Sequence, residues 1–214
     1  MSEKSKDFNF VQNLSDIGTS LSDFEEISSQ DKNYTILGVG FSGYAEKMKS
    51  KKNNKYYMIK KIPKKGRNFS EKYFKRETQI QSQLNHENII RLYGYFEDKE
   101  KANKINEILE INGNKFKQEK FLEDAKIYCL AFEYIENDNL EDYLSRYREK
   151  YKENNYIPIE QNFIIKILTQ ALSALNYMQR KSVLHRDLKL DNLLLDKNNN
   201  IKINSFDFIS SNER

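Results

Sequence analysis

The stretch LHRDLKLDNLL, residues 184–194, decides the fold of this chain. It fits the pattern H-R-D-L-x-x-x-N at every fixed position. Its polar residues suit phosphoryl transfer, because Asp187 can accept the proton of an attacking hydroxyl and Lys189 can neutralise the transferred group. Asn192 can reach a Mg²⁺ ion through its amide oxygen. Because so many specified residues seldom match by chance, the stretch predicts a phosphoryl-transfer site.

A glycine-rich segment, GVGFSG at residues 38–43, precedes this stretch in the chain. Gly38, Gly40 and Gly43 would let the backbone approach a polyphosphate and offer N–H groups to it. A dinucleotide-binding turn has the same spelling, but it needs a helix that opens at the third glycine. Here the chain continues into the highly charged residues 46–55, which carry no apolar helical stripe. The pattern therefore favours a β-hairpin whose loop covers the phosphates.

The run YYMIKKI, residues 56–62, has the composition of a strand. Met58 and Lys60 would share one face of that strand and point toward whatever the glycine loop covers. Glu77 follows on a predicted helix, so Lys60 and Glu77 could pair and orient the α- and β-phosphates. Taken alone, both could equally be surface charges, since charged residues make up 32% of the chain. The LHRDLKLDNLL stretch favours the paired interpretation.

The order of the remaining elements, strands first and helices after them, predicts an α+β protein with two lobes and a cleft. A helix should begin at an N-cap near Ser70, with Tyr73, Ile80 and Leu84 on its apolar face. A long later helix carries a wide apolar face. The other predicted strands are residues 34–37, 89–96, 127–134, 192–195 and 201–203, and the other predicted helices are residues 140–151 and 159–180.

Two segments stand apart from this pattern. Residues 1–33 are rich in Ser, Asp, Glu, Lys and Asn without a clear period, which predicts a disordered leader. Residues 99–125 form a charged Lys/Asn/Glu insert, predicted as a loop with a short helix at residues 105–111. We expect the insert to lead away from the cleft, and the sequence assigns it no role.

The bulk composition excludes several classes of protein. Lysine and arginine number 36 against 32 aspartate and glutamate, and a net charge of +4 is too weak to indicate nucleic-acid or membrane binding. The single cysteine, Cys129, excludes an internal disulfide framework and lies in an apolar run typical of a core position. The chain starts without the apolar core of a signal peptide, and no window approaches the ~18 apolar residues of a membrane span. We expect an intracellular, cytoplasmic protein.

Together, these motifs resemble those of the eukaryotic protein kinase family, and Lys189 resembles its serine/threonine type. The resemblance implies ATP-dependent phosphoryl transfer to protein hydroxyls, with Asp187 and Lys189 as catalytic residues and Asn192 as a ligand of Mg²⁺. Residues 76–96 are most similar to Aurora-type kinases. The ATP-binding residues that the resemblance implies are Leu37, Gly38, Gly40, Gly43, Ala45, Lys60, Glu77, Glu133, Ile135 and Leu194.

The resemblance also implies the bilobal protein-kinase fold. Residues 34–135 would form a β-rich N-lobe that includes the insert, and residues 136–214 would form part of a helical C-lobe. The family's activation segment and later helices have no counterpart before Arg214. We therefore expect a C-terminally truncated domain with an incomplete C-lobe, and protein substrates or partners remain unidentified.

One motif departs from the family. After the predicted strand at residues 201–203, the family's metal-binding Asp-Phe-Gly is replaced by Ser205-Phe206-Asp207. A serine hydroxyl carries no charge, so Mg²⁺ binding is in question. Alternatively, Asp207 could be the metal ligand, displaced by two residues. Such a slip keeps the side chain on the same face, but it spans ~6.6 Å and would need a bulge.

Three hypotheses follow from these residues. The chain is a fragment of an active serine/threonine kinase, a pseudokinase that binds nucleotide or acts as a scaffold, or an interaction protein whose insert and leader recruit partners. In the nucleotide pocket, Met58 stands where the family usually has alanine and would narrow the site. As written, the chain is expected to be weakly active or inactive, because the metal-binding carboxylate is missing from its usual place.

Overall fold

The computed structural model describes residues 14–27, 36–40, 43–64, 69–111, 121–136, 138–152, 159–204 and 210–211. The chain divides into two compact units. The first unit comprises residues 1–74 and 92–134, and the second comprises residues 75–91 and 135–214. The lobe boundary that the sequence predicts near residue 135 stays a prediction, and residues 75–91 group here with residues 135–214.

The first unit is built on a six-stranded sheet among the described residues, in the order β1-β3-β4-β6-β5, with β2 also paired to β3. Every pairing is antiparallel. β2 and β1 share the same edge, since β2 pairs with the first half of β3 and β1 with the second half. The strands are β1 Phe24–Glu26, β2 Ile36–Val39, β3 Tyr44–Ser50, β4 Tyr56–Pro63, β5 Leu92–Glu100 and β6 Ala125–Glu133.

The register of the central strands defines two faces of the sheet, because residues directly opposite each other in an antiparallel pair share a face. We call one the front face and the other the back face. The front face carries Ala45, Lys60 and Leu130, which lie opposite one another on β3, β4 and β6. The back face carries Tyr44, Lys61 and Cys129.

The back face is covered by the N-terminal segment. Residues 14–27 form helix α1 (Leu14–Ile17), a 3-10 helix (Leu21–Asp23) with a capping box, and strand β1. Phe24 is buried and stacks on Phe96 with ring centroids 6.0 Å apart. The expected disordered leader is therefore wrong for residues 14–27, because apolar side chains that look scattered in the sequence are buried against the sheet.

The insert also covers the back face. Its predicted short helix is confirmed as α3, Ala102–Ile111, which begins earlier than expected. β5 continues to Glu100 and β6 begins at Ala125, so the ends of the expected loop belong to the sheet. Ile105 and Ile108 are buried in the same hydrophobic cluster as the back-face residues of the strands. The helix is thus part of the core of the first unit.

The front face packs against the start of helix α2, Glu71–Ser82. Phe74 is buried and stacks on Tyr128 with ring centroids 4.0 Å apart. The prediction that Tyr73 lies on the apolar face of this helix is wrong, because Tyr73 is 64% exposed and its neighbour Phe74 takes the buried position. The later residues of α2 belong to the second unit.

The second unit contains the predicted long helices and short strands. The sequence predicts a strand that begins at Ile89 and Ile90 and continues to Phe96. That prediction is wrong, because Ile89 bridges to Ile203 and the Ile90 N–H donates to the Ile203 carbonyl at 2.9 Å. The elements are α4 Leu140–Lys150, α5 Gln161–Arg180, β7 Val183–Leu184, a 3-10 helix Leu190–Asn192, β8 Leu193–Leu195, β9 Ile201–Ile203 and β10 Ser210–Ser211.

The apolar face of α5 is divided between core and surface. Ile167 and Met178 are buried, together with Ala174. Three further apolar side chains at helical spacing, Ile164, Leu168 and Leu172, are exposed. Within the described ranges, none of the helices is both long enough and apolar enough to span a membrane.

Candidate functional site

The glycine segment forms the turn of a β-hairpin, as predicted. Strands β2 and β3 flank it, and Gly38 lies opposite Ala45 in their register. The Gly40 N–H donates to the Gly43 carbonyl at 2.8 Å, which fixes the base of the turn. Residues 41–42, at its tip, lie outside the described residues. The hairpin carries five of the predicted ATP-binding residues, which are Leu37, Gly38, Gly40, Gly43 and Ala45.

Two of the glycines serve different purposes. A Cβ at Gly43 would lie 2.0 Å from the Lys61 carbonyl oxygen, so the close packing of the hairpin on β4 requires glycine there. A Cβ at Gly38 would meet no heavy atom within 4 Å. The packing of the first unit therefore explains Gly43 but not Gly38, whose missing side chain faces open space.

Lys60 lies on the front face, directly opposite Ala45 on one side and Leu130 on the other. Met58 shares that face and lies opposite Phe132, and both side chains are buried. The prediction that Met58 and Lys60 share a face is confirmed. The Met58 side chain beside Phe132 leaves less room on this part of the front face than an alanine at position 58 would.

The other predicted nucleotide-site residues fall into both units. Leu37 is 43% exposed on β2, and Glu133 is the last residue of β6. Ile135 and Leu194 belong to the second unit, where Leu194 on β8 bridges to Asn139. Glu77 lies on the part of α2 that groups with the second unit, so its pairing with Lys60 stays a prediction.

The LHRDLKLDNLL stretch, in the second unit, gathers its polar residues tightly. Asn192 is buried and its amide nitrogen donates both to the Asp187 backbone oxygen at 2.7 Å and to the Asp187 carboxylate at 3.1 Å. The Lys189 ammonium lies 3.5 Å from the same carboxylate. We call Asp187, Lys189 and Asn192 the loop cluster. Its geometry presents a carboxylate that is oriented by an amide and faces a cation.

His185 supports this loop from below. Its Nδ1 accepts the Asp187 N–H at 3.3 Å, so its Nε2 carries the proton and donates to the Asn204 carbonyl at 3.0 Å. Burial lowers the pKa of His185 below its ordinary value, although Asn204 and Asp187 oppose this effect. A neutral imidazole therefore links the loop to Asn204, the residue directly after β9. Arg186 adopts a left-handed conformation with φ of 67°.

The residues predicted to complete a metal site cannot all be placed. Ser205 and Asp207 lie outside the described residues. In the parts of the chain that are described, no group of three or more His, Cys, Asp and Glu side chains is gathered as if to hold a metal. Asn192 supplies an amide oxygen of the kind that Mg²⁺ prefers, which fits a site completed by further ligands.

Sequence reasoning missed a second charged group, on the back face of the first unit. The Lys61 ammonium lies 2.8 Å from Glu46 and 2.7 Å from Glu100, and all three side chains are less than 10% exposed. Burial alone would lower the pKa of Lys61, but the two carboxylates outweigh it and raise the pKa. The signal was the pair Lys60-Lys61, since neighbours in a strand must face opposite sides of the sheet.

Comparison with known proteins agrees with the motifs. The family model described as protein kinase domain matches residues 32–213. The Aurora kinase of Eremothecium gossypii is 29% identical over 136 residues, which are 64% of this chain and 28% of that protein. Aurora kinase C of Mus musculus is 32% identical over 136 residues, 64% of this chain and 37% of that protein.

A kinase with a different name is similar to the same degree. NUAK family SNF1-like kinase 1 of Homo sapiens is 31% identical over 134 residues, 63% of this chain and 15% of that protein. The matched part of this chain thus spans less than two fifths of the length of each of these relatives. Because the family model covers most of the sequence, the chain belongs to the protein kinase family.

Proposed function

We propose that the chain is a serine/threonine kinase domain, which binds ATP and transfers its γ-phosphoryl group to a protein hydroxyl. The observation that carries the proposal is the loop cluster, in which Asn192 orients the Asp187 carboxylate. One of the relatives is named a serine/threonine-protein kinase, which supports the same class of acceptor.

Asp187 has the environment of a general base. Its side chain is 32% exposed, so a substrate hydroxyl can approach it and give up its proton to the carboxylate. The bonds from Asn192 hold the carboxylate in place before substrate arrives, which reduces the cost of orienting it. Lys189 is 52% exposed and next to Asp187, where its charge would stabilise negative charge on the transferred group.

The first unit would supply the nucleotide-binding residues. The open space beside Gly38 lets a ligand approach the backbone of the hairpin without meeting a side chain. Lys60 lies two strands away from Gly38 in one continuous register through Ala45, on the same face. Its ammonium would bind the α- and β-phosphates, while Leu37 and Ala45 would cover the base.

Mg²⁺ would be held by Asn192 and by one residue of the segment after β9. The ion would neutralise charge on the phosphates during transfer. The buried Asn192 already gives its amide nitrogen to Asp187, so its oxygen is the atom that can serve a cation. Ser205 at the usual position of the carboxylate, or Asp207 displaced from it, would complete the ligand set.

A second candidate function is that of a pseudokinase, which binds nucleotide or partners without transfer. The observation that favours it is the serine at position 205. Without a carboxylate there, the affinity for Mg²⁺ falls and transfer slows or stops. The two candidates share the nucleotide site and differ in the metal-dependent step.

Nucleotide titration in the presence of Mg²⁺ and in the presence of a chelator distinguishes these candidates. Calorimetric titration of the full chain with ATP should show binding that tightens with Mg²⁺, accompanied by phosphoryl transfer to Ser/Thr residues of a peptide library. Metal-independent binding without transfer would favour the pseudokinase. A lack of ATP binding in either buffer would contradict the kinase and the nucleotide-binding pseudokinase, and would leave only a scaffolding role.

Two substitutions then locate the metal carboxylate. If Asp207 is the displaced ligand, Asp207→Asn weakens the dependence of ATP binding on Mg²⁺. If Ser205 occupies the metal position, Ser205→Asp strengthens that dependence, while Asp207→Asn leaves it unchanged. Asp191→Asn is the matched control, because Asp191 is an exposed acid of the same loop.

A further inference from the structure

The back face of the first unit buries an unusual amount of charge. Glu46 on β3, Lys61 on β4 and Glu100 on β5 form a continuous ion-paired group. The Tyr44 hydroxyl donates to Glu100 at 3.2 Å. Within the sheet itself, this group contains two carboxylates and one ammonium, so one negative charge is left without a balancing cation.

The second cation comes from the insert. Lys104 on α3 lies 3.2 Å from the Glu46 carboxylate and 3.8 Å from the Glu100 carboxylate. Its side chain is 24% exposed, whereas those of Glu46 and Glu100 are 4% and 9% exposed. We call Glu46, Lys61, Glu100 and Lys104 the back-face cluster. Two positive and two negative charges make the buried group neutral only while α3 is docked.

The N-terminal segment contacts the same layer. Glu26 on β1 forms an ion pair with Lys104 at 2.5 Å. The Asp98 carboxylate on β5 accepts the Ser20 hydroxyl at 3.0 Å and the Leu21 N–H at 2.7 Å. Lys104 therefore joins the insert, the N-terminal segment and the sheet, three parts of the first unit that are far apart in sequence.

The back-face cluster connects directly to the strand that leaves the glycine hairpin. Glu46 follows Ala45 on β3, and the two side chains lie on opposite faces of the sheet. Glu46 lies opposite Ile59, and Ala45 lies opposite Lys60. The ion pairs that hold Glu46 on the back face therefore also hold the backbone that places Ala45 and Lys60 on the front face.

We propose that Lys104 is a positioning residue, through which the insert holds β3 and the glycine hairpin in their nucleotide-binding arrangement. This inference rests on the proposed ATP-binding function. The insert, to which the sequence assigns no role, then supports the nucleotide site structurally. Lys104 itself does not touch the front face, and it acts through Glu46 and Glu100.

Hydrogen exchange and ATP titration of the full chain test this proposal. In Lys104→Met, amides of β3 should exchange about tenfold faster, since removing the cation leaves two buried carboxylates with one ammonium. Affinity for ATP should fall several-fold. Lys104→Arg should restore both values, because a guanidinium supplies the same charge. Lys99→Met is the matched control, as Lys99 is an exposed lysine of β5 and should change neither value.

The outcomes separate this proposal from the proposed function. Unchanged exchange in β3 of Lys104→Met, or failure of Lys104→Arg to restore it, would overturn the positioning role. Faster exchange with wild-type ATP affinity would overturn the link to the nucleotide site. If the wild-type chain binds no ATP, the proposed function fails, while the exchange data still decide whether Lys104 holds β3.

A charge-balanced variant covers the case in which Lys104→Met does not fold. Lys104→Met combined with Glu100→Gln removes one cation and one carboxylate, so Lys61 and Glu46 remain as a neutral pair. This double variant should fold and protect β3 nearly as well as the wild-type chain. If it is as disordered as the single variant, charge balance is not the reason that Lys104 matters.

Discussion

Two lysine–carboxylate groups in this molecule use the same chemistry in opposite environments. In the back-face cluster, Lys61 contacts its carboxylates at 2.7 and 2.8 Å and its side chain is 1% exposed. In the loop cluster, Lys189 lies 3.5 Å from Asp187 and its side chain is 52% exposed. The first group is closed on itself, whereas the second leaves both of its charges accessible to a ligand.

The difference separates a structural role from a functional one. Every charge of the back-face cluster is used within the fold, and a buried ion that loses its partner destabilises the protein strongly. The exposed pair in the loop cluster contributes little to stability, because water screens it. Its charges are therefore available to act on a substrate. Substitutions in the loop cluster should affect activity, and substitutions in the back-face cluster should affect folding.

The largest effect is expected for Asp187→Asn. Removing the proposed general base should lower the rate of phosphoryl transfer by about 10²–10⁴-fold, while the free energy of unfolding changes little. Transfer of labelled phosphate from ATP to a Ser/Thr peptide pool measures the rate. Asp191→Asn should keep the wild-type rate, and equal losses in both variants would contradict the role assigned to Asp187.

The next largest effect is expected for Lys61→Met. The substitution leaves Glu46 and Glu100 buried without their main partner, and should lower the free energy of unfolding by about 3–5 kcal/mol. Urea denaturation followed by circular dichroism measures the change. Combining it with Glu46→Met removes one opposite charge and should recover most of the loss. If Lys61→Met is as stable as the wild-type chain, the back-face cluster is not structural.

A smaller, pH-dependent effect is expected at His185. Burial lowers its pKa in the folded chain, so below the ordinary value of 6.5 the unfolded chain binds the proton more readily. Stability from this group is present above pH 6.5 and is lost as the pH falls through the lowered pKa. His185→Gln, which keeps a donor for Asn204, should flatten the decline in unfolding free energy between pH 7 and pH 5.5. An equally steep decline would contradict the assignment.

The back-face cluster should respond to acid at lower pH. Burial opposes ionisation of Glu100, but Lys61 and Lys104 outweigh it and hold its pKa below the ordinary value of 4.5. Its contribution to stability is therefore present above pH 4.5 and is lost only as the pH falls through the lowered pKa. The two regions should thus lose stability in separate pH windows, which unfolding curves of Glu100→Gln and His185→Gln can separate.

The smallest effect on stability is expected for Lys189→Met. An exposed ion pair is worth roughly 0–1 kcal/mol, so the free energy of unfolding should stay within about 1 kcal/mol of the wild-type value. Phosphoryl transfer should nevertheless fall, since the positive charge beside Asp187 is gone. A stability loss as large as that of Lys61→Met would erase the distinction between the two groups.

The features that were predictable from the sequence are those set by short-range patterns. The β-hairpin follows from glycine spacing, and the shared face of Met58 and Lys60 follows from the two-residue period of a strand. The helices α4 and α5 follow from their apolar periodicity. The loop cluster could also be predicted from the sequence, because Asp187, Lys189 and Asn192 lie within six consecutive residues.

The features that were missed depend on contacts between distant segments. The sequence around Phe24 does not predict that it stacks on Phe96. The sequence of α3 does not predict that Lys104 balances carboxylates on β3 and β5. Ile89 and Ile90 have strand composition, yet burial beside β9 overrides a simple extension of β5. The choice between Ser205 and Asp207 stays a prediction, because both lie outside the described residues.

The most direct test compares the ATP affinity of Lys60→Met with that of the wild-type chain. Unfolding curves are measured for Lys60→Met and for Lys61→Met. Lys60 and Lys61 are neighbours on opposite faces of β4, so the same change at the two positions separates the two roles. The account predicts that Lys60→Met loses about tenfold or more in ATP affinity, as expected for a lost charge-assisted bond to phosphate, and remains more stable than Lys61→Met. Wild-type ATP affinity in Lys60→Met would contradict the claim that the front face of the sheet binds the nucleotide.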